Sequence, residues 1–302
     1  MHLMNTFFPQ KFHVRQNVAL ADYTSIRVGG KAAFFVEINS QDQFIELVQF
    51  CSRKNIRFLT LGGGTNVFFP ESGFNGLVAV IKFDAIKVHP DDRVTAEAGA
   101  SLSALNQVCI DHALTGFEFS SGIPGTVGGA IYGNAGAYGN AVSDYLVAAK
   151  IIMPDGMVQT VDNAFFNFSY RTCQLKKNNA ILLQGEFQFQ KGDPHKIKKQ
   201  VNKILTKRRK KLPPPDIATA GSYFKNIVDE NGKRTAAAIY LDAVGSKQTS
   251  VGDAAVHPKH ANIFYNRGHA SAADLLRLEE ILKQRVLEKF GIRLEREVMY
   301  IE

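Results

Sequence analysis

Apolar residues along the first half of this chain alternate between the spacing of helices and the spacing of strands. Two stripes at three- and four-residue intervals predict amphipathic helices, the second of them capped by Ser101 or Ser103. These stripes are Phe44, Leu47, Val48 and Cys51, and Leu102, Leu105, Val108 and Cys109. Apolar runs predict strands at 34–38, 56–61, 77–83, 93–98, 145–153, 157–161 and 180–189. The mixture predicts an α+β fold with many strands.

The pattern changes near residues 190–195, where we predict a domain boundary. A basic helix follows, and the three prolines at 213–215 end it because proline cannot continue a helix. Its apolar stripe consists of Ile197, Val201, Ile204 and Leu205. A long helix is predicted over 271–290, capped by Ser271, and a final strand is predicted over 292–301.

Residues 122–139, GIPGTVGGAIYGNAGAYG, contain seven glycines and almost no charge. Each glycine costs a helix about 1 kcal/mol, so we do not expect this stretch to form an ordinary helix. The apolar residues Ile123 and Val127 distinguish it from a flexible linker. Because glycine reaches positive φ freely, successive N–H groups can turn inward and bind an anion. The stretch therefore predicts a site for a cofactor that carries a diphosphate.

A second glycine loop, 62–64, directly follows the predicted strand at 56–61, and Thr65 and Asn66 add side-chain donors to it. It lacks the G-x-G-x-x-G pattern of a Rossmann dinucleotide site. The pair at 30–31, Gly-Lys, lacks the Ser or Thr that a P-loop requires next. Either glycine cluster alone could be a tight turn, but the two together favour cofactor binding.

Composition narrows the class of protein. The 302 residues are enough for two or three domains, and no apolar run approaches the length of a membrane span. The N-terminal segment shows no secretory signal, and Cys51, Cys109 and Cys173 fit neither a disulfide framework nor a zinc site. We therefore expect a cytoplasmic protein without membrane insertion.

The net charge is +8, from 36 basic and 28 acidic residues, and much of the excess is concentrated in residues 203–211. A nucleic-acid-binding patch, a solvated helix end and a site for an anionic small substrate are three interpretations of this basic segment. No aromatic residues are interleaved with the cations for base stacking, which argues against a nucleic-acid partner.

Two further segments carry candidate chemistry. Arg171, which follows Tyr170, could hold a carboxylate bidentately and stabilise charge that grows on it, or could lie at the surface with its stem buried. Ser222 places a hydroxyl close in sequence to the cation of Lys225 and the amide of Asn226. The alternative interpretation of Ser222 is an incidental residue at the start of a strand.

The last candidates are acidic and histidine pairs. Glu295 and Glu297 would share one face of the predicted terminal strand, where a solvated polar face is the alternative. His257 and His260 are three apart without a Cys or acidic partner nearby, so we expect no metal site.

Several of these motifs occur together and in the same order in one known family. They are SIRVGG at 25–30, LGGGTN at 61–66, GFEF at 116–119, the 122–139 stretch, Tyr170-Arg171, AGSYFKN at 220–226, HAN at 260–262 and Glu297-Val298. The chain thereby resembles the UDP-N-acetylenolpyruvoylglucosamine reductases, flavoenzymes that make UDP-N-acetylmuramate for bacterial cell walls. The motifs extend over nearly the whole sequence.

The resemblance implies FAD and NADPH as cofactors and the enolpyruvyl nucleotide sugar as substrate. It implies an N-terminal extension over 1–22 and a two-lobed FAD-binding domain of the vanillyl-alcohol-oxidase (PCMH) type over 23–192. A smaller C-terminal α+β substrate domain would follow over 193–302. We expect a monomer, with no nucleic-acid partner.

The resemblance also implies roles for individual residues. Arg171 and Glu297 would stabilise the enolate-like charge on the substrate, and Ser222 would deliver a proton to its α-carbon. Glu297 would have to be protonated or share a proton, which requires burial to raise its pKa. The implied FAD-binding residues are Gly62, Gly63, Gly64, Thr65, Asn66, Gly122, Ile123, Pro124, Gly125, Thr126, Gly128, Gly129, Asn134, Gly136 and Ala137, and the implied substrate-binding residues are Tyr170, Lys211, Lys225 and Asn226.

Some positions depart from the family pattern. Cys173 stands where the family usually has Ser, and residues 236–256 are only loosely similar. No inserted tyrosine-bearing loop precedes residue 211, so the chain resembles the shorter branch of the family. Another flavoprotein on the same scaffold, such as an oxidase of alcohols or sugars, is the alternative. An oxidase has no carbanion to protonate, so the combination of Arg171, Ser222 and Glu297 favours the reductase.

Overall fold

The computed structural model of the chain describes residues 8–302. The first seven residues of the predicted extension 1–22 lie outside this described part. The α-helices are Gln41–Arg53 (α1), Leu102–Asp111 (α2), Val127–Tyr132 (α3), Leu175–Asn178 (α4), Pro194–Lys211 (α5), Ala237–Ala243 (α6) and Ala272–Phe290 (α7). The 3-10 helices are Gln10–Phe12, Leu20–Tyr23, Phe117–Ser120, Val142–Asp144, Asn163–Phe166 and Ser246–Gln248.

The strands form three larger sheets and several two-stranded ladders. The first sheet has the order Arg15–Ala19, Lys31–Ile38, Phe74–Ile81, Phe58–Leu61, and its last two strands are parallel. The second, antiparallel sheet has the order Val158–Asp162, Leu146–Ile152, Ile181–Gln188, Arg93–Glu97, Ile86–Val88. The third, also antiparallel, has the order Thr219–Ser222, Ile263–Asn266, Ala254–Val256, Ser250–Val251. The two-stranded ladders join Gly136–Ala137 with Asn140–Ala141, Leu114–Thr115 with Gln190–Lys191, Ile227–Val228 with Arg234–Thr235, and Val67–Phe68 with Met299–Tyr300.

The caps that the sequence predicts are present at the ends of the helices. Ser101 accepts the N–H of Ala104 at 3.0 Å and so begins α2. Ser271 and Asp274 form a reciprocal capping box at the start of α7, and Gly291 ends that helix in the left-handed conformation. The predicted helices and the seven predicted strands of the first 190 residues are confirmed, with shifted ends.

Two predictions about elements are wrong. Residues 127–132 within the glycine stretch form helix α3, because Thr126 caps it and Val127, Ala130 and Ile131 are buried. The predicted strand over 292–301 is reduced to Met299–Tyr300. Before that point the segment makes only a single bridge, Phe224 to Arg296, and then changes its partner to Val67–Phe68.

The described chain divides into two compact units. The first comprises residues 8–16, 34–63 and 76–208, and the second comprises residues 17–33, 64–75 and 209–302. Each unit has its own apolar core. In the first, α1, α2 and α3 contribute buried residues beside the second sheet, and in the second, α7 contributes Leu275, Leu278, Leu282 and Val286. No helix within residues 8–302 combines the length and the apolar character that crossing a membrane requires.

Candidate functional site

The two glycine loops meet at Gly62 and Thr126 in the first unit. A Cβ placed on Gly62 would lie 2.5 Å from Thr126 Oγ1, so only a glycine allows this approach. The same hydroxyl oxygen accepts the N–H of Gly129 at 3.3 Å and caps α3. The loops that the sequence singles out separately are therefore in contact at this point.

Backbone donors in these two loops remain available for a ligand. Within residues 8–302, no hydrogen bond uses the N–H of Gly63, Gly125 or Thr126 as its donor. By contrast, the N–H groups of Ile123, Val127 and Gly128 donate to the carbonyls of Ser120, Ala100 and Ala98 at 2.9, 2.8 and 2.9 Å. Unpaired backbone donors beside bare glycines suit an anion such as a diphosphate. The residues present thus fit an FAD diphosphate, with fewer donors than the sequence suggests.

The second part of the first glycine loop, Gly64 to Asn66, belongs to the second unit. Gly64 has φ of +62°, and a Cβ there would lie 1.9 Å from the carbonyl oxygen of Tyr23. Asn66 donates from Nδ2 to the carbonyl of Glu297 at 3.3 Å, and its own carbonyl accepts the N–H of Met299 at 2.9 Å. Asn66 therefore holds the backbone at Glu297, a contact that the sequence pattern does not reveal. Thr65 is half-buried beside it.

Arg171 is fixed by the glycine stretch. Its guanidinium donates to the carbonyl of Asn134 at 3.4 Å and to that of Gly136 at 3.1 Å, and lies 5.5 Å from the ring centre of the half-buried Tyr170. The backbone of Arg171 is left-handed, with φ of +60°. The guanidinium of Arg171 is therefore held by the protein, and its contact with a substrate carboxylate stays a prediction.

The segment that holds Arg171 is itself well anchored. Asn134 is buried, and its amide donates to the carbonyl of Ser169 at 3.1 Å and accepts the N–H of Ser143 at 3.2 Å. Ala137 pairs with Asn140 in a short antiparallel ladder. Both ends of the Asn134 amide are thus occupied by the protein, which makes this residue a support for the Arg171 site.

Cys173 contributes to the same support. Its thiol donates to the carbonyl of Tyr132 at 3.3 Å, and burial raises the pKa of the thiol. Lys176 donates to the carbonyl of Arg171 at 2.8 Å. A serine hydroxyl at position 173 could make the same bond to Tyr132, so the departure from the family pattern leaves this local geometry intact.

In the second unit, Ser222 is exposed at the end of the strand Thr219–Ser222. The residues that follow it are clamped by Asn262, whose carbonyl accepts the N–H of Tyr223 at 2.8 Å. The Asn262 side chain also accepts the N–H of Phe224 at 2.9 Å and donates to its carbonyl at 2.8 Å. Asn262 is therefore a positioning residue whose role the motif alone did not indicate.

The structure brings the Ser222 segment and the Glu297 segment together. The N–H of Glu297 donates to the carbonyl of Tyr223 at 2.8 Å, and Glu297 is half-buried. Glu295, in contrast, is exposed and forms an ion pair with Lys225. The two carboxylates are therefore not equivalent, since Glu297 is half-buried and Glu295 is exposed.

The remaining predicted substrate-binding residues also lie in the second unit. The Asn226 side chain accepts the N–H of Ala237 at 3.4 Å, and Lys211 is exposed at the end of α5. His257 and His260 each accept a backbone N–H through Nδ1, from Lys259 and from Asn262. Residues 8–302 contain no group of three His, Cys, Asp or Glu side chains that could hold a metal ion.

Arg208 is a candidate that sequence reasoning missed. Its Nε would lie 2.9 Å from a Cβ on Gly122, and its guanidinium interacts electrostatically with Tyr138, so it lies near both ends of the glycine stretch. Burial lowers its pKa, and the Tyr138 contact opposes that shift. In the sequence, Arg208 is one of several basic residues in the segment 203–211, and nothing in that pattern distinguishes it from its neighbours.

Comparison with known proteins matches a protein family to each of two parts of the chain. Residues 32–162 match the family described as FAD binding domain, and residues 213–301 match the C-terminal domain of UDP-N-acetylenolpyruvoylglucosamine reductase. The predicted fold class, an FAD-binding domain of the PCMH type followed by a smaller α+β domain, is confirmed.

Individual relatives align over nearly the whole chain. The UDP-N-acetylenolpyruvoylglucosamine reductase of Clostridium novyi (strain NT) is 36% identical over 293 residues, 96% of this chain and 93% of the relative. The UDP-N-acetylenolpyruvoylglucosamine reductase 2 of Bacillus anthracis is 34% identical over 299 residues, 99% of this chain and 95% of the relative. The crystal structure of the Thermus caldophilus UDP-N-acetylenolpyruvylglucosamine reductase superposes with a TM-score of 0.80 at 25% identity, covering 96% of this chain and 100% of that one.

Proposed function

Because this chain belongs to the UDP-N-acetylenolpyruvoylglucosamine reductase family, we propose that Arg171, Ser222 and Glu297 carry the reduction of its substrate. The protein is an FAD-containing, NADPH-dependent oxidoreductase. It reduces the enolpyruvyl group of UDP-N-acetylglucosamine-enolpyruvate to UDP-N-acetylmuramate in peptidoglycan precursor synthesis. The observation that carries this activity is the alignment with named reductases over 96% of the chain, with a reductase-specific C-terminal domain. That domain match argues against an alcohol or sugar oxidase.

The two glycine loops are proposed to hold the FAD. The N–H groups of Gly63, Gly125 and Thr126 would bind its diphosphate, since these donors have no acceptor within residues 8–302. Residues 62–66 and 122–129 would line this part of the cofactor, and Asn134, Gly136 and Ala137 would lie near its ring system. When bound there, FAD would supply the hydride-transfer chemistry between NADPH and the enolpyruvyl group.

Arg171 is proposed to neutralise charge on the substrate carboxylate. Hydride arrival at the β-carbon of an α,β-unsaturated carboxylate moves electron density onto the α-carbon and the carboxylate. A guanidinium is always charged and can bond a carboxylate in two places. The carbonyls of Asn134 and Gly136 already hold this guanidinium, so little reorganisation is required when the charge develops.

Ser222 is proposed to give its hydroxyl proton to the α-carbon, which completes the addition of two hydrogens across the double bond. The exposure of this residue is consistent with a role toward a ligand. Serine is a weak acid, so a neighbouring group must polarise it. The half-buried Glu297 is proposed to stabilise the enolate-like state in a protonated or proton-sharing form.

The nucleotide-sugar substrate is proposed to contact Tyr170, Lys211, Lys225 and Asn226. Lys225 has a carboxylate partner, Glu295, that is largely exposed and could be exchanged for a substrate anion. This small-molecule role also explains part of the basic segment 203–211 without a nucleic-acid partner. We further propose a monomer that acts in the cytoplasm, in keeping with three buried free cysteines.

An anaerobic two-step titration tests the proposed function. NADPH should bleach the yellow protein, and the enolpyruvyl nucleotide sugar should then restore the flavin absorbance with formation of UDP-N-acetylmuramate. Bleaching without recovery of colour would instead favour another flavoprotein activity. Light scattering of the FAD-loaded protein tests the proposed monomer.

A further inference from the structure

A buried carboxylate in the second unit has no part in the reaction described so far. Glu279 is only 4% exposed, and it lies in α7 among the apolar residues Leu275, Leu278 and Leu282. Glu279 therefore occupies a position on the buried face of α7 where an apolar side chain is normally found. Burying it is unfavourable unless other groups neutralise and hydrogen-bond it.

Three side chains surround this carboxylate. The hydroxyl of Tyr223, a residue only 1% exposed, donates to Glu279 Oε2 at 2.9 Å. Arg296 Nε lies 3.5 Å from the same oxygen, and Lys283 forms an ion pair with Oε1 from the next turn of α7. The Glu279 carboxylate is therefore both paired and hydrogen-bonded.

Two of these partners adjoin the proposed catalytic residues in sequence. Tyr223 follows Ser222, and Arg296 precedes Glu297. The two segments also bond through their backbones, since the N–H of Glu297 donates to the carbonyl of Tyr223 at 2.8 Å. The segments that contain Tyr223 and Arg296 are thus linked twice. Glu279 links them through its side-chain contacts, and the backbone bond between Glu297 and Tyr223 links them directly.

Each of the two proposed catalytic residues shares its backbone with a residue that Glu279 holds. Tyr223 is buried directly after Ser222, and Arg296 lies directly before Glu297. Tyr223 is held in the core while Ser222 is exposed, and Arg296 is held toward Glu279 while Glu297 follows it. Fixing the buried member of each pair therefore restricts where the neighbouring catalytic side chain can lie.

We propose that Glu279 is a positioning residue that, through Tyr223 and Arg296, sets the placement of Ser222 and Glu297 for proton delivery and charge stabilisation. This inference rests on the proposed roles of those two residues. It does not require Glu279 to touch the substrate or the cofactor.

The test compares Glu279→Gln and Glu279→Leu with wild type in anaerobic stopped-flow measurements. The Gln variant keeps an acceptor for Tyr223 but loses the ion pairs, and the Leu variant loses both. Since small misplacements of catalytic groups cost up to about 100-fold in rate, we expect reoxidation by the enolpyruvyl nucleotide sugar to slow about 10-fold in Gln and about 100-fold in Leu. Flavin reduction by NADPH and the substrate dissociation constant should stay within about twofold of wild type.

Glu280→Gln is the matched control, because this neighbouring residue of α7 is exposed and undergoes the same chemical change. It should leave both half-reactions unchanged. Wild-type reoxidation in Glu279→Gln, equal slowing of both half-reactions, or a loss confined to substrate affinity would overturn the inference. Because Glu279→Leu could fold poorly, the decision rests on the Gln variant with full FAD content. Failure of wild type itself to be reoxidised would contradict the proposed function instead.

Discussion

Gly62 and Thr126 bring the two glycine loops into contact, with room for a hydrogen atom but not for a methyl group on Gly62. Thr126 Oγ1 would lie 2.5 Å from a Cβ at position 62. The unpaired N–H groups of Gly63, Gly125 and Thr126 lie next to this contact in the sequence. The contact brings two motifs that are far apart in sequence close together in the first unit.

Gly62→Ala should therefore weaken both folding and FAD retention. The added methyl group must displace Thr126, and overpacking of this kind costs about 1–3 kcal/mol. We expect a lower flavin-to-protein absorbance ratio and a lower melting temperature in the same preparation. Gly268→Ala is the control, since its Cβ would make an ordinary contact of 3.4 Å at negative φ.

The double variant Gly62→Ala/Thr126→Ala separates the clash from other effects of the alanine. Removing the hydroxyl relieves the contact, although it also removes the cap of α3, which is worth about 1 kcal/mol. The double variant should retain more FAD than Gly62→Ala alone. Additive losses in the two substitutions would show that the contact does not organise the two loops.

Arg171→Lys should impair the second half-reaction selectively. An ammonium cannot bond two carbonyls and a carboxylate with the planar geometry of a guanidinium. Loss of one preorganised donor to developing charge typically costs about 100- to 1000-fold in rate. We expect reoxidation by the substrate to slow by that amount while NADPH reduces the flavin normally. Lys177→Gln, an exposed change on α4, should leave both rates unchanged.

Ser222→Ala should spare flavin reduction and slow substrate-dependent reoxidation by about 100- to 10,000-fold, the range of general acid catalysis. Product formed in deuterated water should carry deuterium at the α-carbon, because the proton that is added there comes from an exchangeable group. Ser250→Ala, an exposed change on the third sheet, is the matched control. Equal slowing of both half-reactions in Ser222→Ala would remove the proton-donor role.

The sequence predicted those elements whose local signals agree with their tertiary packing. Ser271 and Gly291 mark the ends of α7 because a capping box and a left-handed residue are local features. Helix α3 was missed since glycine propensity argued against it, whereas burial of Val127 and Ile131 and the Thr126 cap outweighed that propensity.

The sequence suggested residues for the candidate site, but it could not give the contacts that hold those residues in place. Asn66 and Asn262 hold backbone of segments far away in sequence, which no local pattern reveals. The prediction of a terminal strand over 292–301 was wrong because it too depended on distant segments. These residues change their pairing partner within a few positions. The burial of Glu279 could not be predicted either, because a single acidic residue in an amphipathic helix is normally expected on the exposed side.

The stability of the protein should fall as the pH rises above about 9, because of its buried thiols. Burial raises the pKa of Cys51 and of Cys109 from 9.0 to about 12. Between these values the unfolded chain has released the thiol protons while the folded chain retains them. The unfolded state therefore binds fewer protons and gains stability with pH. Each thiol should cost about 1.4 kcal/mol of unfolding free energy per pH unit in this range, with its full contribution present below about pH 8.5.

Denaturant unfolding of the FAD-loaded protein at about pH 8, 9 and 10 measures this slope. Lysine and tyrosine side chains also begin to titrate near pH 10, so the decisive comparison is with Cys51→Ala/Cys109→Ala. That variant should be less stable at the lowest pH, because both side chains are buried, yet its stability should decline less steeply between the two higher values. An unchanged slope in the double variant would assign the pH dependence to groups other than these two thiols.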